Sequence, residues 1–170
     1  VFMRFLNKRK GVTLIELLAA VVIIGIVSAL AVPNFQEAIR WMNFRNGTRD
    51  IVAKLRLARS NAITTKRQYG VYFDCDAKIM KMFLDTISVA DYRYDNGDSI
   101  IEVDTLPKEF STLTTPGSFT NYSVIYKPNG SASASGQIVA SAYNAGCHFD
   151  GYISVLASTG KTKIDSLIKH

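Results

Sequence analysis

A single carboxylate inside an otherwise apolar run is the most chemically loaded feature of this 170-residue chain. Glu16 sits in VTLIELLAAVVIIGIVSALAV, Val12 to Val32, where Thr13, Glu16 and Ser28 are the polar residues. An acid in such a run costs about 2.5–3.5 kcal/mol on insertion scales, less near an end, and points to function. It needs a cation, and its own segment offers none after Gly11. A cut after Gly11 would create one, the α-ammonium of Val12. Amine and carboxylate of one helix reach each other poorly, so the fitting partner is the Val12 terminus of a neighbouring chain. These residues predict helix-to-helix assembly with a register of one subunit.

The element that must carry Glu16 is a long apolar helix. At 1.5 Å per residue Val12–Val32 spans roughly 31 Å, about one bilayer core. Ahead of it, VFMRFLNKRKG carries Arg4, Lys8, Arg9 and Lys10 with no acid. A basic flank before such a run predicts a single span with the flank left in the cytoplasm and the rest translocated. A secretory signal peptide is the competing reading. The run is longer than a usual signal core, and Ala29-Leu30-Ala31 lies within the apolar stretch rather than beyond it. Pro33 lacks an N–H and predicts a bend or local unwinding.

KRKGVTLIELLAAVVIIGIVSALAVPNF resembles the class III signal of type IV pilins and type II secretion pseudopilins. The resemblance implies that a prepilin peptidase cuts after Gly11 and N-methylates Val12. It also implies that Glu16 guides docking onto the preceding subunit, and that Pro33 falls where the helix often kinks. Basic leader, glycine, TLIELL, apolar run and proline occur in the family's order. Val12 departs from it, since the first mature residue there is most often Phe or Met.

Beyond Pro33, Phe35, Ala38, Ile39 and Met42 fall at helical spacing, as do Ile51, Leu55, Ala58 and Ala62, predicting one helix to about Thr65 despite Asn46-Gly47-Thr48. With no second strongly periodic helix to receive it, its apolar stripe must lie on a sheet. Strands are expected at Tyr69–Asp74, Lys78–Asp85, Ser99–Val103, Tyr122–Lys127, Gly136–Ser141 and Tyr152–Ala157, with turns at Asp74–Ala77, Asn96-Gly97, Pro116-Gly117 and Asn129-Gly130. The fold class is α+β, type IV pilin-like, with a long N-terminal helix packed on antiparallel β-sheet. LRLARSNAITTKRQYGVYF, IYKPNGSASASGQIVAS and YISVLASTGKTKI resemble stretches of the GspH/FimT group of pseudopilins. Thr86 to Phe119 matches least. The implied domains are a leader over 1–11, a transmembrane and filament-core helix over 12–33, and a periplasmic or extracellular α+β domain over 34–170.

Catalysis lacks a convincing set. The histidines are His148 and His170, no nucleophile elbow appears, and Cys147-His148 is adjacent in sequence rather than arranged as a dyad. No zinc spacing, phosphate loop or cofactor motif is apparent, so no metal and no cofactor is expected. Asp74, Asp76, Asp91, Asp95 and Asp98 read as solvated loop carboxylates. Cys75 and Cys147 lie in the translocated part, where a disulfide is permitted; closing a loop of about 73 residues stabilises by up to roughly 4 kcal/mol.

Charge offers the last lead. The net +6 falls to +2 once the leader goes, because the leader holds four bases and no acid. Arg40 to Arg67 carries eight bases against Asp50 alone, whereas Asp74 to Glu109 carries nine acids and four bases. Helix basicity beside an acidic neighbour favours subunit packing or a solvated face over DNA binding. The tail GKTKIDSLIKH resembles the basic tail of DNA-binding FimT-like minor pilins: Gly160, Lys161 and Lys163 match, with lysine for arginine. Lysine neutralises phosphate but loses the bidentate fork.

The expected function is that of a non-enzymatic minor pilin or pseudopilin of a type II secretion pseudopilus or type IV pilus. Its expected partners are other pilins, a prepilin peptidase, the inner membrane and a secretion or pilus assembly platform. The alternative is a minor pilin binding DNA for natural transformation.

Overall fold

In the computed structural model the described residues are 11–74, 76–87, 89–115, 119–144 and 147–170, without the side chains of Leu30, Ala31, Pro33, Asn34 and Asn144. The basic residues of the leader, Cys75 and the Pro116-Gly117 turn lie outside them. Leu14–Thr65 forms one helix of 52 residues, α1, assigned without a break through Pro33. The local unwinding expected at Pro33 is therefore not seen. The chain divides into two compact units, Val1–Ala38 and Ile39–His170.

In the first unit the apolar side chains from Leu14 to Val27 are exposed around the whole helix, among them Leu14, Leu17, Val21, Ile24 and Val27. Among the described residues no helix is long and apolar enough to cross a membrane. The expected Val12–Val32 span includes Leu30 and Ala31, whose side chains lie outside the described ones.

In the second unit the helical stripe is Phe44, Thr48, Ile51, Val52, Leu55, Ala58 and Ala62, all buried. Their spacing of three and four residues places them on one face, and that face meets two sheets. The first sheet has the order β3-β2-β1-β5, from β1 (Tyr69–Asp74), β2 (Ile79–Leu84), β3 (Ser99–Thr105) and β5 (Ser123–Tyr126). The second has the order β4-β6-β7-β8, from β4 (Thr112–Thr114), β6 (Gly136–Asn144), β7 (Cys147–Val155) and β8 (Thr162–Lys169). All pairings are antiparallel. Val71, Phe73 and Val124 from the first sheet and Ile138, Ala140, Phe149 and Ile153 from the second join the helix stripe in one core.

Gly47 has a packing reason to stand inside the helix. A Cβ there would lie 2.5 Å from the Phe110 ring and 2.5 Å from Pro107 Cγ, so the absent side chain lets the Pro107–Phe110 loop close on the helix. Beside it Phe44 packs against Phe110 at 5.1 Å and Phe149 at 5.8 Å between ring centroids. The Thr48 hydroxyl is buried but satisfied, donating to the Phe44 carbonyl at 2.9 Å.

The stretch GKTKIDSLIKH is not a free tail: Thr162–Lys169 is strand β8. The outer face of the first sheet carries a second cluster, Phe83, Tyr94 and Ile125, flanked by Tyr72 and Tyr92.

Candidate functional site

The head of α1 is built by a local hydrogen-bond exchange. Thr13 precedes the helix, and its Oγ1 accepts the Glu16 backbone N–H at 3.3 Å. The Thr13 carbonyl accepts from the Leu17 N–H at 3.2 Å. Thr-x-x-Glu is the capping-box spacing, so TLIE fixes the helix start as well as supplying an acid. Glu16 lies in the first turn, where the helix N-terminus favours negative charge by about 0.3–1 kcal/mol. The sequence reading missed this local role, which the Thr-x-x-Glu spacing could have signalled. Gly11, Val12 and Glu16 are all exposed, and Glu16 has no ion pair among the described residues. Pro33 lies about five turns beyond this head, inside the continuous helix.

A basic face forms on the second unit. Arg56 Nη2 donates to the Thr162 carbonyl at 3.2 Å, and Arg59 Nε donates to the Gly130 carbonyl at 2.9 Å. These bonds draw the β7–β8 turn and the Lys127–Ser131 turn onto α1. Gly160 makes the approach possible: its φ is +62°, and a Cβ there would overlap the Gly130 carbonyl oxygen. Arg56, Arg59, Lys161 and Thr162 then line one shallow cleft, and Arg49, Arg56 and Lys163 line the next. The fold thus brings Lys161 and Lys163 together with helix arginines far away in sequence. Lys163 is also bound locally, its Nζ 2.8 Å from Asp165 Oδ1. That contact, ahead of a bond from Ser154, holds the Asp165 carboxyl below its ordinary value.

The opposite flank of the helix is neutralised. Lys54 pairs with Asp104 and, at 2.7 Å, with Glu102, both on β3. Burial works to lower the Lys54 pKa, but the two carboxylates outweigh it and hold the ammonium above its ordinary value. The acidic middle of the chain thus meets the basic helix at this lysine.

The acidic loop departs from the solvated state expected of it. Asp98 is buried, and its Oδ1 accepts from the Thr86 and Ile87 N–H groups while Oδ2 accepts from Asp95 N–H. Asp98 staples the Asp85–Asp98 loop. Arg93 bridges Asp95 at 3.1 Å and Asp91 at 3.7 Å. Asp74 is a turn cap, its Oδ1 accepting from Ala77 N–H at 2.9 Å.

Cys147 has a free thiol, half-buried against the core, while its expected partner Cys75 lies outside the described residues. His148 points to the other face of β7 from Cys147, as strand alternation requires, so the two form no dyad. Instead His148 meets Asp150 and His170, a group that sequence spacing did not bring together.

Residues 6–32 match the prokaryotic N-terminal methylation motif, and residues 47–158 match the family described as type II transport protein GspH. No curated protein matches the chain. Among solved structures, the type IV minor pilin FimU of Pseudomonas aeruginosa is similar at 13% identity and a TM-score of 0.56, covering 72% of this chain and 88% of that one. The minor pseudopilin EpsH of the Vibrio cholerae type 2 secretion system is similar at 14% identity and a TM-score of 0.47, covering 71% of this chain and 94% of that one.

Proposed function

The chain belongs to the GspH family of type II transport proteins, and from that membership we propose that it is a filament subunit assembling through its N-terminal helix. Family and fold are those of minor pilins and pseudopilins. The observation that carries the reading is the head of α1, where a capped, exposed Glu16 leads a helix whose apolar side chains are uncovered on every side. Such a helix needs lipid before assembly and neighbouring helices after it. Glu16 needs a cation, and the Val12 amine of the preceding subunit supplies it once the chain is cut after Gly11.

On this reading a prepilin peptidase removes 1–11 and N-methylates Val12. The chain sits in the inner membrane with its leader cytoplasmic and 34–170 periplasmic, until an assembly platform extracts it. Pro33 gives the helix a place to adapt as it leaves the bilayer. The role is structural rather than catalytic.

Co-expression with a prepilin peptidase tests the processing. Mass spectrometry should find a chain beginning at N-methylated Val12, and Gly11→Ala should retain the leader. A mature terminus elsewhere defeats the assignment. Glu16→Ala should still be cut but lose crosslinks to neighbouring pilins; undiminished crosslinking would exclude Glu16 from the register.

A second reading, DNA binding, draws on the basic face of Arg49, Arg56, Arg59, Lys161 and Lys163. Each arginine that donates to a backbone carbonyl keeps further N–H groups for phosphate. Gel shifts at low ionic strength decide it: salt-sensitive binding lost in Lys161→Ala/Lys163→Ala supports the reading, and its absence removes it.

A further inference from the structure

The three strands β6, β7 and β8 put their even-numbered β7 residues on the face away from the core. Ser141 stands opposite Asp150 and Tyr143 opposite His148 across β6 and β7. On the other side the His170 N–H donates to the His148 carbonyl at 2.9 Å, so His170 is the cross-strand neighbour of His148. This pairing depends on an irregularity. Between Tyr152 and Ile153 the β7–β8 register slips by one, leaving Asp165 without an opposite residue. With the register found beyond the slip, Lys169 would stand where His170 does, since a one-residue slip exchanges the faces.

The result is a compact donor set. His148 Nε2 lies 3.1 Å from Asp150 Oδ1, and His170 Nε2 lies 3.2 Å from Oδ2 of the same carboxylate. The imidazoles stack with centroids 4.6 Å apart, and Tyr143 stacks on His148 at 4.2 Å. Asp150 is only 7% exposed although it lies on the outer face. It is covered by these rings and braced by Ser141, whose Oγ donates to Oδ1 at 2.6 Å. One ligand atom from each of the three residues falls within 4.8 Å of the other two.

We propose that His148, Asp150 and His170 form a binding site for a divalent transition-metal ion of the zinc class. Two imidazole nitrogens and a carboxylate oxygen are the donors such ions prefer, and three protein ligands leave a fourth position open. Bonds of about 2.0–2.1 Å in a tetrahedral shell separate neighbouring donor atoms by about 3.3 Å, close to the two nitrogen–oxygen distances found here. The ion enters where the imidazoles now contact the carboxylate, drawing the two nitrogens together. Ser141 keeps its bond to Asp150 and orients the carboxylate from behind. Both histidines are partly exposed, so the open position faces solvent and takes water. Bound there, the ion ties β8, the edge strand of the second sheet, to β7 through side chains as well as backbone.

The test uses the untagged full-length chain in detergent, stripped of metal and titrated with Zn²⁺ alone. One ion per chain should bind with a Kd of about 10 μM or tighter, and His148→Ala and His170→Ala should each weaken it at least about tenfold. His170 is half-exposed, so its removal leaves the core untouched, and circular dichroism checks that the fold persists. In the unmutated chain, Zn²⁺ should protect both histidines from carbethoxylation, read residue by residue by mass spectrometry. No saturable uptake below about 1 mM Zn²⁺, a smaller loss in the variants, or unprotected histidines would overturn the site.

Discussion

Asp85 is a carboxylate in the wrong surroundings, and replacing it should stabilise the protein in a pH-dependent way. It closes β2 at 4% exposure, and its Oδ1 has no hydrogen-bond partner. With the Gln68 amide oriented to donate, the Gln68 nitrogen reaches Oδ2 at 3.2 Å. Burial, followed by repulsion from Asp98, Asp95 and Asp91, pushes the Asp85 carboxyl up from 3.8 to about 6. The folded chain therefore holds this proton more tightly than the unfolded one. Its contribution to stability is greatest below about pH 4, declines as pH rises through about 6, and is flat above that. A displacement of that size corresponds to at most about 3 kcal/mol. Asp85→Asn removes the charge and offers an N–H₂ to the neighbouring acids. At pH 8 the variant should be about 2–3 kcal/mol more stable than the parent, and near pH 4 the two should converge. The assay is chemical denaturation of the full chain across this range, followed by Trp41 fluorescence. Asp150 and Asp165, whose carboxyls are held below their ordinary value, act in the opposite sense but below about pH 4, outside this window. A variant no more stable than the parent at pH 8, or a difference that does not change with pH, would refute the reasoning.

Three further substitutions probe the packing. Phe44→Ala empties a fully buried site shared by Trp41, Phe110 and Phe149 and should cost about 3–5 kcal/mol in denaturant unfolding. Gly47→Ala, which in an open helix would gain up to about 1 kcal/mol, should instead lose about 1–3 kcal/mol because the new methyl meets Phe110 and Pro107. Gly160→Ala should lower the midpoint by an amount equivalent to at least about 1–2 kcal/mol, since it adds both a positive-φ penalty and an overlap with the Gly130 carbonyl. A neutral result at either glycine would mean the close approaches relax at little cost.

Much of the architecture was legible because the periodicities are clean. The helix ends at Thr65, as its spacing predicted, and β1 spans Tyr69–Asp74 as read. β8 was hidden for a physical reason. Thr162 and Ile164 face inward, then the unmatched Asp165 shifts the phase so that Leu167 packs on the core instead of Ser166. A bulge breaks the period of two on which strand recognition rests. CHFDG at the start of β7 does alternate, but Asp150 and Gly151 together resemble a turn. The division into two sheets was not legible, because one helix stripe fits one sheet or two equally well. The cap at the head of α1 was signalled by the Thr13-x-x-Glu16 spacing but went unread, because the apolar run around Glu16 drew the reading to charge instead. The cluster at His148 could not be read, since it exists only once the β7–β8 register is known.

The arrangement of strands also sets an order of events during synthesis. Pairings within the second sheet join neighbours in the chain, except that β4 reaches β6 past β5. Hairpins of this kind close early and locally. The helix face from Phe44 to Ala62 is made before every strand of either sheet, yet part of its cover comes from Ile138, Phe149 and Ile153. While some seventy to ninety residues are added, that face has no complete partner. At about 5–20 residues per second this interval lasts several seconds, long enough for wrong contacts to compete. A nascent chain of this topology is therefore most vulnerable through the helix that precedes its strands, and the β6–β7 and β7–β8 hairpins end the exposure.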